Sequence, residues 1–84
     1  SKISSSKDAF VYMQPVLDNK AFEEFWIILL SRSNRIISRE MISTGSLTGS
    51  LADPKKIFKI ALEKLAASLI LAHNHPPGST IPSQ

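Results

Sequence analysis

Two histidines stand one residue apart in Leu71-Ala72-His73-Asn74-His75-Pro76-Pro77-Gly78, and the 84-residue chain has no others. They close an apolar run, Ser68-Leu69-Ile70-Leu71-Ala72, with the length of a short buried strand. Residues i and i+2 of a strand point to one side, so His73 and His75 would project together, and two imidazoles so placed can share one divalent metal. Pro-Pro-Gly then ends the strand and bends the backbone away, leaving the pair at a strand end beside a loop, where reactive groups commonly sit. A catalytic zinc asks for more: a third protein ligand, an open position for water and a carboxylate as general base. The candidate bases are Glu23, Glu24, Glu40 and Glu63. Glu63 falls on a helix and Glu40 on a strand, while Glu23 and Glu24 immediately precede the most apolar strand; spacing alone does not choose between them.

The elements that must position these groups follow from local pattern. Ser4-Ser5-Ser6-Lys7-Asp8 reads as a helix start, with Ser5 and Asp8 spaced as a capping box. Ala9, Tyr12, Met13 and Val16 continue at helical spacing, Pro15 is expected to kink or end the helix, and Asp18-Asn19-Lys20 is its exit. Phe25-Trp26-Ile27-Ile28-Leu29-Leu30 is a strand-length run without polar alternation, which implies burial on both faces. Ser33-Asn34 signals a turn, and Arg35 to Ser43 reads as a second strand, so the pair should form an antiparallel hairpin. Gly45 and Gly49 mark the loop that follows. Asp53-Pro54 is a helix start with Asp as N-cap and Pro at the first helical position. Ile57, Ile60, Ala61, Lys64 and Leu65 track one face of that helix, which should run to about Ala66 or Ala67. Helix, two strands, helix, strand is an α/β layout: a small mixed sheet with flanking helices. If the last strand paired in parallel with an earlier one, the second helix would be the crossover between them.

Composition bounds the partners. At 43% hydrophobic and 20% charged, the chain is globular rather than disordered. The absence of cysteine excludes a disulfide scaffold and a thiolate metal site, and fits a cytoplasmic protein. Net charge is +3, with the densest basic group, Lys55, Lys56, Lys59 and Lys64, on the second helix. Such a group is ordinarily a solvated helix face; no aromatic platform interleaves with it to mark a nucleic-acid footprint. No apolar segment approaches the ~20 residues of a membrane span, and no signal peptide is visible.

The segment Leu69 to Gly78, followed by Pro82-Ser83, closely resembles the RadC branch of the JAB/MPN (JAMM) metalloprotease-like family, whose pattern is His-x-His, seven residues, Ser, two residues, Asp. Seven residues separate His75 from Ser83 here. Upstream, Glu23-Glu24-Phe25 looks like the family's Glu-x-Phe, Gly45-Ser46-Leu47 resembles its Gly-Thr-Leu, and Pro54-Lys55-Lys56-Ile57-Phe58 resembles its Pro-Arg-Glu-hydrophobic-Phe. Pro77 for the usual Ser and Lys56 for the usual Glu depart from the pattern outside the metal ligands.

The resemblance implies a JAB/MPN fold with cytidine-deaminase-like layering, over residues 1–84 as the N-terminal part of one domain. It implies His73 and His75 as zinc ligands, Glu23 as general base and Ser83 as the group that binds the developing oxyanion or orients the water. Glu23 is preferred to Glu24 because it stands two residues before Phe25 and shares a strand face with Phe25 and Ile27; Glu24 is the fallback, since a one-residue slip reverses the face. The third ligand, an Asp, would be the second residue beyond Gln84, so the expectation is an incomplete domain that binds zinc weakly if at all. The expected activity of the complete form is zinc-dependent hydrolysis of peptide or isopeptide bonds in a protein substrate. Proteins of this branch are commonly labelled as DNA-repair proteins, so the competing expectation is a non-catalytic, DNA-associated accessory module with a vestigial metal site and the lysine-bearing helix as its contact face.

Overall fold

A computed structural model describes residues 2–18, 21–44 and 53–74. The first helix, α1 (Ser6–Leu17), starts where the polar run predicts, with Ser5 as N-cap. The Ser5 hydroxyl accepts from the Asp8 amide at 3.3 Å, and the Asp8 carboxylate accepts from the amide of Ser4 at 2.8 Å, so the return bond of the cap lands one residue before the N-cap. Pro15 does not end the helix, which runs on to Leu17. In the last turn a proline removes only the bond to the carbonyl of Val11, and Val11 is exposed, so water can replace the lost donor.

Two strands, β1 (Glu24–Leu30) and β2 (Ile36–Thr44), form the expected antiparallel hairpin. Between them Asn34 adopts φ 62°, a left-handed conformation that asparagine tolerates better than most residues. The turn closes through Asn34 N–H to the Ser31 carbonyl and Ser31 N–H to the Arg35 carbonyl, each 2.9 Å.

The second helix, α2 (Pro54–Glu63), is capped by the Asp53 carboxylate, which accepts from the Lys55 amide at 3.0 Å. It stops about three residues before the expected Ala66 or Ala67. Leu65 turns left-handed at φ 57°, its amide bonds the Leu62 carbonyl at 3.1 Å and the Ala66 amide bonds the Ala61 carbonyl at 2.9 Å. Those two bonds form a Schellman cap, which satisfies the last carbonyls and redirects the chain. Ala67 N–H then reaches the Leu30 carbonyl at 2.9 Å, and β3 (Ser68–His73) begins.

β3 pairs antiparallel with β1, giving the sheet order β2-β1-β3. β2 and β3 therefore run in one direction on opposite sides of β1, and α2 carries the chain across β1 from one to the other. Every pairing among the described strands is antiparallel, so α2 does not join a directly paired parallel couple. The class is α/β, a small sheet between two helices.

This layering explains the continuous apolar run. Ile28 and Leu30 face α1 and pack with Ile3, Ala9 and Met13, while Ile27 and Leu29 face α2 and pack with Ile42, Ile57 and Ala61. A central strand covered on both faces has no position for a solvated polar residue, and Ile27, Ile28 and Leu29 are fully buried.

Candidate metal centre

His73 is the last residue of β3 and lies opposite Phe25 in the register with β1. Directly opposed residues share a sheet face, and the two rings stack with centroids 5.5 Å apart and planes 25° apart. Glu23 sits one residue before β1. Its carboxylate oxygen Oε2 lies 3.6 Å from His73 Nδ1, just outside hydrogen-bond range, and each side chain keeps about a third of its surface in water (34% and 33%). An imidazole and a carboxylate thus meet at one end of the central strand, on the face that carries α2.

Glu24, the fallback base, goes elsewhere. Its Oε1 accepts a 3.0 Å hydrogen bond from the indole Nε1 of Trp26, and Trp26 packs with the cluster under α1 on the opposite face. Glu40 is opposite Ile27, and Ile27 is opposite Leu71, so two strand spacings, roughly 10 Å, separate it from β3. Glu63 is exposed at the end of α2. His75, Ser83 and the Gly45-Ser46-Leu47 segment lie outside the described residues.

Between the histidines of the motif stands a residue the sequence did not single out for a role. Asn74 is 7% exposed and is the one buried polar side chain among the described residues. Its Oδ1 accepts from the backbone amide of Glu24 at 2.7 Å, and its Nδ2 donates to the backbone carbonyl of Phe22 at 3.2 Å. The two peptide groups it holds flank Glu23. The partners are 50 and 52 residues away in sequence, so no local pattern could have announced them.

Zinc accepts imidazole and carboxylate ligands in tetrahedral sites. The described donors fit as part of such a site: one half-buried imidazole at a strand end, with a carboxylate on the same face. Among the described residues no three His, Asp or Glu side chains come together. The lysine-bearing face of α2 is not uniform either, because Lys56 Nζ donates to the Ile42 carbonyl at 2.7 Å and ties the helix to β2. No helix of the described residues is long and apolar enough to cross a membrane.

Fold and site together define an α/β domain that gathers an imidazole and a carboxylate at one end of a buried central strand. The family described as "RadC-like JAB domain" matches residues 3–84. A "UPF0758 protein" of Flavobacterium johnsoniae is 48% identical over 99% of this chain, one of Chlorobaculum parvum is 43% identical over 98%, and one of Methanosarcina mazei is 41% identical over 99%. The chain belongs to the RadC-like JAB domain family, as the motif resemblance implied. It spans 36%, 37% and 36% of the lengths of those three relatives, whose names state no activity.

Proposed function

We propose that this domain belongs to a zinc-dependent hydrolase of peptide or isopeptide bonds, with Glu23 as its general base. The observation that carries the reading is the approach of the Glu23 carboxylate to His73 at 3.6 Å, on one sheet face, with about a third of each side chain exposed to solvent. His73 and His75 would hold the metal, together with an Asp two residues beyond Gln84. When bound, the zinc supplies a Lewis acid that brings water within reach of deprotonation near neutral pH. The chain's own residues do the rest. Glu23 accepts a proton from the attacking water and delivers it to the leaving amine. Ser83 donates a hydrogen bond to the oxygen on which charge develops. Phe25 stacks against the His73 imidazole and limits the ring's freedom.

The adjacent carboxylates provide the test. In the full-length protein, Glu23→Gln should lower kcat on casein by roughly 10²–10⁴-fold, the range for a lost general acid–base group, while zinc content stays at the wild-type level. Glu24→Gln should leave kcat within a few-fold, because that carboxylate faces Trp26. Activity that survives Glu23→Gln and disappears in Glu24→Gln would overturn the assignment. Absence of any hydrolysis by the wild-type protein with zinc bound would overturn the function itself.

A further inference from the structure

We propose that Asn74 is the positioning residue for Glu23: its side-chain amide acts as a surrogate peptide unit that fixes the backbone on both sides of the carboxylate and sets its place beside His73. A primary amide offers a carbonyl acceptor and an N–H donor in one plane, as a peptide group does. The β1–β3 ladder ends at the Phe25 and His73 pair, and the next position along belongs to Glu24 and Asn74. There the Asn74 side chain takes over, accepting from Glu24 N–H at 2.7 Å and donating to the Phe22 carbonyl at 3.2 Å. Both peptide groups adjoining Glu23 are thereby tied to a residue directly bonded to His73.

The side chain suits this task in each respect. Aspartate lacks the donor, and serine is too short to engage both groups. Burial matters too, because at 7% exposure water does not compete for the two bonds. The Glu23 carboxylate lies 3.6 Å from His73 Nδ1 and keeps about a third of its side-chain surface exposed. The positions that carboxylate can reach depend on where the backbone sets its Cα. A displacement of about 1 Å at a reacting group can cost ~100-fold in rate, so a residue that fixes that backbone acts on turnover without touching substrate. The link to turnover rests on the reading of Glu23 as the base; the placement does not.

The experiment reads the two separately in the full-length protein. Amide exchange of Glu24 and Ile28, and the nuclear Overhauser contact between the Glu23 side chain and the His73 ring, are measured without metal for wild type, Asn74→Ala and Asn74→Asp. Zinc affinity by calorimetry and hydrolysis of casein follow. For Asn74→Ala, Glu24 exchange should rise at least tenfold with Ile28 unchanged, and the Glu23–His73 contact should vanish. Zinc affinity should stay within about threefold, and kcat should drop 10- to 100-fold at constant KM. Asn74→Asp keeps the acceptor and loses the donor, so Glu24 should stay protected while the Glu23–His73 contact weakens at least twofold. If Asn74→Ala unfolds the domain, seen as faster Ile28 exchange, the Asp variant carries the test alone. A Glu23–His73 contact retained at full strength in whichever variant folds overturns the proposal. Full activity of Glu23→Gln would overturn the base assignment and leave the placement result standing.

Discussion

The central strand β1 is closed by different means at its two ends. At the Leu30 end the turn and the cap are local: the bonds among Ser31, Asn34 and Arg35 link residues no more than four apart, and those of the cap, among Ala61, Leu62, Leu65 and Ala66, no more than five. The long-range bonds there, Ala67 N–H to the Leu30 carbonyl and Ile3 N–H to the Asn34 carbonyl, join backbone to backbone. Both left-handed residues of the described chain, Asn34 and Leu65, are at this end. At Glu24 the closure is long-range, made by Asn74 and His73 from about 50 residues away. A register shift occurs near each end, between Phe25 and Trp26 and between Leu29 and Leu30, so a bulge does not distinguish them. The distinction is in what supplies the distant partners: backbone groups at Leu30, the side chains of Asn74 and His73 at Glu24. The hairpin turn and the helix cap can form as soon as their own residues meet, whereas the side-chain closure at Glu24 comes into being only when the fold is complete, and that is the end where the Glu23 carboxylate and the His73 imidazole lie. A site built this way exists only in the folded state.

The largest expected effect lies in β1 itself, which both ends share. Ile28 is fully buried under α1, and Ile28→Ala should cost about 2–5 kcal/mol, a large share of the stability of a domain this small. Because β1 is common to both ends, the amides of Glu24 and Asn34 should lose exchange protection together; loosening at one end alone would show that they fold independently. A smaller effect should separate the ends. Asn34→Ala puts a less tolerant residue at φ 62° and should cost about 1 kcal/mol, lowering the melting temperature by roughly 4–8 °C. The Glu23–His73 contact, at the other end, should persist in that variant. Its loss would mean that the hairpin turn and the site are coupled and that the two ends of β1 do not close independently.

The same contrast explains what could be read from the sequence. Ser5 and Asp53 as N-caps, Pro54 in the first helical turn, the Ser33-Asn34 turn and the hairpin are all local chemistry, and all are present. The unbroken apolar run of β1 announced its two-sided burial. The end of α2 did not show, because glycine ordinarily marks such a cap and here a leucine adopts the left-handed conformation. The partner and direction of β3 were equally hidden, since Ser68–His73 would look the same in either orientation. At the site, strand alternation put Glu23 on the side of Phe25, and the contact with His73 lies on that side. Asn74 left no trace, because an asparagine between two histidines carries no local sign of two backbone partners half a chain away.

Leu65 offers the smallest effect and the cleanest separation. It is 86% exposed, so replacing it removes little buried surface, yet it holds φ 57° with a Cβ that crowds its own backbone. A left-handed conformation costs a residue with a side chain about 1–2 kcal/mol, and glycine escapes that strain while giving up roughly 0.5–1 kcal/mol to its freer unfolded chain. Leu65→Gly should therefore stabilise the domain by about 0.5–1 kcal/mol, raising the thermal midpoint by roughly 2–8 °C in a circular-dichroism melt. The gain should come wholly from the α2 cap, which feeds β3 at the Leu30 end, so the Glu24 amide bond to Asn74 and the Glu23–His73 contact should be unchanged. A fall in the midpoint would show that the leucine side chain contributes packing that outweighs its strained backbone. A rise accompanied by a shift at Glu24 would show that β3 transmits the state of its first residue to its last, and the two ends of the sheet would have to be treated as one unit.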